Sequence, residues 1–148
     1  MPGIELLVLY STSTQSIANG SLGDVLFHGT QINQGFSFTY ATASTTIPRS
    51  ADYMISFNGW VDKSGGAAQT VEVVLFKDNV QVTGCDTERT INSTTETGHF
   101  GFTCSIPLIL NEVIRLGAGS SLGDSQFARI GNLITAPTTV SLEIEQLD

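Results

Sequence analysis

Basic side chains are scarce in this sequence. Six Lys and Arg stand against 14 Asp and Glu, for a formal charge of -8. A chain of that sign is repelled by a phosphate backbone and by an anionic lipid surface, so neither nucleic-acid binding nor membrane insertion is expected. Blocks of five or six like charges and low-complexity tracts are absent, so no disordered interaction arm is expected either. Long apolar runs are missing too. IELLVLY (4–10) has seven residues, one of them a glutamate, against the roughly 20 that a membrane-spanning helix needs. It lacks a basic n-region and is followed by STSTQS instead of a small-x-small cleavage site, so it is read as part of the fold and not as a secretory signal.

Chemistry-bearing motifs are equally thin. The two histidines, His28 and His99, sit in no H-E-x-x-H or similar ligand spacing, and a lone histidine on a strand is most often a hydrogen-bonded surface or core group. No G-x-S-x-G, P-loop or dinucleotide glycine fingerprint occurs, and no carboxylate pair for glycoside hydrolysis can be singled out among isolated Asp and Glu. No catalytic residue is expected. Cys85 and Cys104, the only two cysteines, are too few for a zinc site and not in a C-x-x-C arrangement. Two readings stay open: a disulfide closing a loop of about 19 residues and contributing roughly 3 kcal/mol, or two small buried thiols on neighbouring strands.

What is present is Thr, Ser, Val, Ile, Gly and Phe over 148 residues, a composition that suits pleated, half-buried surfaces within one domain, 1–148. About ten strands are expected, in the spacing of a two-sheet antiparallel sandwich or jelly roll: IELLVLY, DVLFHG (24–29), FSFTYA (36–41), STTIP (44–48), YMISFNGWV (53–61), TVEVVLFKDNVQVTG (70–84) with a tight hairpin at Lys77, Asp78 and Asn79, GHFGFTCSI (98–106), EVIRLGAG (112–119), FARIGNLI (127–134) and TTVSLEIEQL (138–147). DTERTINSTTET (86–97), apolar only at Ile91, reads as a long exposed loop. FSFTY alternates Phe36, Phe38 and Tyr40 with Ser37 and Thr39, as a strand with one wet face does. IELLVLY and YMISFNGWV instead carry bulky apolar groups on both faces, with Leu7 and Leu9 on one side of the first and Leu6, Val8 and Tyr10 on the other. Such strands need a partner surface beyond the sandwich core, which argues for oligomerisation.

In their order, ADYMISFNGWV, VEVVLFKDNVQV and the closing TTVSLEIEQLD resemble the C1q/TNF-like jelly roll. VQVTGC followed by a polar loop, ILNEVIRLGAG and ITAPTTVSLEIEQLD are most similar to its bacterial branch, the globular heads of collagen-like spore-surface glycoproteins and of some phage fibres. The sequence departs from the family at Ala51 and Asp52, where Pro-Gly usually precedes the central tyrosine, and it contains no Gly-X-Y repeat, so any collagen-like stalk is either outside these residues or absent. The resemblance implies a non-enzymatic homotrimer whose first, central and last strands pack around a three-fold axis. Tyr53, Ile55 and Phe57 would then face the core, and Met54, Ser56, Asn58 and Trp60 the neighbours. On the last strand Val140, Leu142 and Ile144 would be core, with Glu143, Glu145 and Leu147 on the axial side.

Carboxylates brought together three at a time repel one another unless a cation answers them. Arg115, expected on a strand beside the central one, is the candidate partner in a Glu-Arg ring; the alternative is a last strand that frays into water. No cofactor is expected, calcium being the only candidate: SLGD occurs at Ser21–Asp24 and again at Ser121–Asp124, in two expected loops, offering Asp24 and Asp124 as ligands. Trp60, Asn58 and Asp62, in or next to loops, are candidate sugar contacts. Asn19-Gly20-Ser21 and Asn92-Ser93-Thr94 fit the glycosylation pattern but matter only in a eukaryotic secretory context. The expectation is a trimeric head at the outside of a bacterial cell, a spore or a virion, assembling with itself and presenting loops to surface glycans or a host receptor; a free-standing lectin is the rival.

Overall fold

The computed structural model describes residues 4–37, 39, 43–129 and 136–147. No helix occurs among them. Thirteen strands do: β1 (Leu6–Ser11), β2 (Gln15–Ser16), β3 (Ala18–Asn19), β4 (Gly23–Asp24), β5 (Gly29–Gln34), β6 (Ser44–Thr46), β7 (Ala51–Lys63), β8 (Gln69–Lys77), β9 (Val80–Ile91), β10 (Gly98–Leu108), β11 (Val113–Ser120), β12 (Ser125–Phe127) and β13 (Val140–Gln146). Five of these are fragments of two or three residues, which accounts for the excess over the expected ten.

The strands form two sheets. β7 is the spine of the seven-stranded one. Along one edge β10 pairs with it from Ala51 to Val61, and along the other β13 and then β12 follow one another, with β1 beyond β13 and β5 beyond β1. The six-stranded sheet runs β11, β8, β9, and the free edge of β11 is shared by the short pieces β3, β4 and β6. Among the described residues only the β3–β11 pairing is parallel.

Alternation in the sequence fixes the inward faces, since successive strand residues point to opposite sides. Leu7 and Leu9 of β1, Tyr53, Ile55 and Phe57 of β7, Val71, Val73 and Leu75 of β8, and Val140, Leu142 and Ile144 of β13 are all buried in one core. Phe57 sits at its centre, edge-on to Phe100 at 5.8 Å and to Phe127 at 6.4 Å. Truncating such a ring to alanine typically costs 3–5 kcal/mol, about 4 at mid-range. Tyr53 is fully buried at the entrance to β7, and its hydroxyl donates to the Arg49 carbonyl at 2.8 Å. Burial, and secondarily the Glu5 carboxylate, push its pKa up, against a smaller opposing effect of Arg49. Arg49 in turn pairs with Glu5 at 3.1 Å.

The hairpin at residues 78 and 79 forms as expected. Asp78 (φ 48°) and Asn79 (φ 67°) take the left-handed conformations of a type I′ turn. The Asp78 carboxylate accepts from the Val113 amide at 2.9 Å and ties the tip to β11.

Several strand assignments need correction. DVLFHG is not a strand: β4 stops at Asp24, and the next continuous strand is the polar GTQINQ of β5. Phe36 and Ser37 lie outside any strand, and Phe38, Tyr40 and Ala41 lie outside the described residues. Of the described residues of FARIGNLI only Phe127 is in a strand; 130–134 lie outside the described residues. The loop expected at 86–97 shrinks to 92–97, because β9 runs on to Ile91, which is fully buried. β9 is an edge strand with one face in water, so its pattern is mostly polar without being a loop. Ala51 and Asp52, where the family has Pro-Gly, are already in β7.

Cys85 and Cys104 form a disulfide with Cα atoms 5.5 Å apart, which settles the open choice between bond and thiols. It joins β9 to β10, the adjacent edges of the two sheets. To aim Cys85 inward β9 bulges: its register against β8 slips between Val74 and Phe76, and Gly84 takes a φ of 89° that an L side chain rarely adopts.

Candidate functional site

The face of the seven-stranded sheet that points away from the core collects the residues left over by this alternation. Across β7, β13 and β1 the register sets Met54 beside Glu145 and Glu145 beside Leu6, then Ser56 beside Glu143 and Glu143 beside Val8, then Asn58 beside Ser141 and Ser141 beside Tyr10. All nine are half-buried in the single chain, in contrast to the fully buried positions that alternate with them. Each carboxylate is therefore set in a row with an apolar neighbour. On the β10 side, Ser56 Oγ and Thr103 Oγ1 are hydrogen-bonded at 3.1 Å. Leu6, Val8 and Tyr10 are thus the outward side of β1, and Leu7 and Leu9 its core side.

At one end of this face Trp60 pairs across strands with His99, their rings 4.8 Å apart, and the Arg129 guanidinium lies 4.6 Å over the indole. The imidazole Nε2 is 3.1 Å from Asn58 Oδ1. Asp62 is buried and accepts from Gln126 Nε2 at 2.8 Å. Asn58 and Trp60 are thus inside β7 and engaged with His99 and Arg129 of the same chain, while Asp62, one residue from the end of β7 and so next to a loop as expected, is turned in. His99 and Arg129 are the members of this cluster that the sequence did not reveal. A period-2 reading of β10 opposite β7 would have found His99; nothing local marks Arg129.

Arg115 is misplaced in the expected Glu-Arg ring. It lies on β11, in the other sheet, bonded through Nη1 to Asp24 at 3.2 Å and through Nε to Asn79 at 3.3 Å, with its guanidinium stacked 4.0 Å over Phe76. It does not neighbour the central strand and, within the single chain, does not meet Glu143 or Glu145. Among the described residues neither of those carboxylates has an ion-pair partner. The last strand does not fray: Val140–Glu145 is paired on both edges, Gln146 pairs with β7, and Leu147 is exposed.

Of the calcium candidates, Asp24 is occupied by Arg115, and Asp124 accepts from Gln69 Nε2 at 3.4 Å. Among the described residues no group of three or more His, Cys, Asp or Glu is placed to hold a metal. Asp124, itself exposed, sits at the rim of a buried polar knot in which Ser120 and Ser125 donate to Gln69 Oε1. Beside it the Lys63 ammonium, also buried, is held by the Gly66 and Ala67 carbonyls at 2.6 and 3.1 Å.

No family model and no curated protein matches the sequence. Solved structures do match in shape. Eiger TNF from S. frugiperda superposes with a TM-score of 0.68 at 12% identity, over 100% of this chain and 94% of that one. Murine APRIL gives 0.64 at 11%, over 98% and 100%. The globular domain of zebrafish complement 1qA gives 0.55 at 10%, over 97% and 95%. The protein therefore has the C1q/TNF-like jelly-roll fold.

Proposed function

We propose that this chain is a non-enzymatic head domain that assembles as a homotrimer through the outer face of its seven-stranded sheet. The observation that carries this reading is a sheet face on which Leu6 and Val8 of β1 and Met54 and Trp60 of β7, four large apolar side chains turned away from the core and half-covered in the single chain, flank Glu143 and Glu145 of the intervening β13. Large apolar side chains grouped on a sheet face away from the core mark an interaction surface, and the C1q/TNF-like resemblance supplies three-fold closure. The reading extends to the head of an extracellular surface or fibre protein, of the bacterial spore-surface or phage-fibre kind, presenting loops for adhesion to glycans or a receptor. The Cys85–Cys104 bond supports an oxidising location outside the cytosol. A lectin site on Trp60, Asn58 and Asp62 is disfavoured by their engagement within the chain.

Sedimentation equilibrium at micromolar concentration tests the assembly. The wild-type chain is expected at three times the monomer mass, and Val8→Asp at the monomer mass with unchanged circular dichroism. Glu143→Gln is expected to remain trimeric and to gain thermal stability, since like charges converging without a cation destabilise the assembly. A monomeric wild-type protein, or a trimeric Val8→Asp, overturns the reading.

A further inference from the structure

The two SLGD tetrapeptides are far apart in sequence and adjacent in space. β3 pairs in parallel with the end of β11, Ala18 with Gly119 and Asn19 with Ser120, and the Gly20 amide donates to the Ser120 carbonyl at 2.9 Å. Both chains leave this pairing side by side, and each enters the same Ser-Leu-Gly-Asp turn within a residue or two. The first turn then folds back over the outer side of β11, setting Gly23 against Ala118 and Asp24 against Gly117. Close approach is what the glycines of RLGAGS permit: a Cβ on Gly119 would stand 2.3 Å from the Ser21 carbonyl oxygen. The second turn is fastened to β8 by reciprocal bonds of 3.0 Å, Ser121 amide to Thr70 carbonyl and Thr70 amide to Ser121 Oγ.

Between the turns lies an open cleft of about 240 Å³ lined by Ser21 and Leu22 of the first turn, Thr70 and Glu72 of β8, and Ser121 of the second. The Thr70 hydroxyl is taken up by Thr90 Oγ1 at 2.9 Å, but Ser121 and Glu72 keep bonding capacity. The Ser121 hydroxyl accepts one bond and keeps its proton to donate. Glu72 is exposed, and its carboxylate has no ion-pair partner among the described residues. The Leu22 side chain supplies an apolar surface. A carboxylate with two free oxygens, flanked by hydroxyls and one apolar group, matches two vicinal hydroxyls and the C–H face of a sugar ring. The volume lies below the roughly 300–1,000 Å³ typical of drug-sized ligands, so the cleft suits one sugar residue. Charge narrows the class further, because Glu88 stands directly across from Glu72 on β9, and a uronic or sialic acid would meet both.

We propose that the cleft between the twin SLGD turns binds a single pyranose with vicinal hydroxyls and no negative charge, a neutral hexose or a hexosamine. It opens on the outer side of the six-stranded sheet, away from the face assigned to assembly, so it stays accessible in the trimer and does not depend on it. Amide chemical shifts followed during titration with methyl mannoside, methyl galactoside and glucosamine, with glucuronate as the charged control, test the proposal. Shifts are expected at Gly20–Leu22, Thr70–Glu72 and Ser121 with a Kd on the order of millimolar for a ligand of about a dozen heavy atoms. Glu72→Ala and Ser121→Ala should each weaken binding by about tenfold, the order of one charge-assisted or well-formed hydrogen bond, while Trp60→Ala leaves it intact. The proposal is overturned if none of the uncharged or amino sugars moves these amides, if both cleft variants bind like wild type, or if glucuronate binds equally well. Loss of the trimer with binding retained, or the reverse, separates this site from the assembly reading.

Discussion

Replacing Cys85 and Cys104 together by alanine removes the covalent tie between the two sheets. The bond spans a sequence separation of 19, for which loop-closure entropy in the unfolded chain amounts to about 3 kcal/mol. Cys85 is fully buried among core residues, so deleting its sulfur adds a small cavity worth on the order of 1 kcal/mol. The total, about 4 kcal/mol, is a large share of the 5–15 kcal/mol by which domains are ordinarily stable, roughly 10 at mid-range. With an m-value of about 2 kcal/mol/M, the urea midpoint should fall by roughly 2 M. Protomer concentration must be held fixed, because assembly contributes to the measured stability. Reducing the wild-type bond instead of replacing it should reproduce the entropic part of the drop and spare the cavity part. A double variant whose midpoint moves by less than about 0.5 M at unchanged m would refute the reasoning, and would mean that the reduced chain keeps β9 and β10 together when unfolded.

Two further outcomes follow from the turn and the buried phenol. Asn79 at φ 67° should tolerate glycine at no more than the small cost of its exposed bond from Arg115, whereas Asn79→Val should cost about 1–2 kcal/mol in chemical unfolding, because a β-branched residue is penalised in the left-handed region. Tyr53 has its pKa raised above 10.0 in the folded chain, chiefly by burial, so it holds its proton at pH values where the unfolded chain has lost it. Its contribution is therefore complete below pH 10 and declines as pH rises through the folded value. Tyr53→Phe should flatten the alkaline fall of thermal stability and cost about 1 kcal/mol at neutral pH for the lost bond to the Arg49 carbonyl; an unaltered alkaline limb would contradict the assignment.

Legibility in the sequence followed burial. Where one side of a strand lies in the core, as in Tyr53, Ile55 and Phe57 or Val140, Leu142 and Ile144, the period of two was readable and the inward set came out as expected. The Asp78–Asn79 hairpin was readable because its backbone demands those residue types. Edge strands were not. GTQINQ in β5 and the DTERTI segment of β9 expose so much surface that their composition matches a loop, and only Ile91 in the second betrayed an inward side. Arg115 went to the wrong sheet because local alternation says which residues share a face but not which strands share a sheet. The SLGD repeat was visible as a repeat, but its meaning depends on a parallel pairing between residues about 100 positions apart, for which strand patterns carry no signal.

The central claim is that the outward stripe of β1 and β7 is covered by copies of the same chain. The mass of the wild-type protein by sedimentation equilibrium at micromolar concentration tests it most directly. A single species at three times the monomer mass is the predicted result; a monomer, with Leu6, Val8, Met54 and Trp60 left facing water, would contradict it.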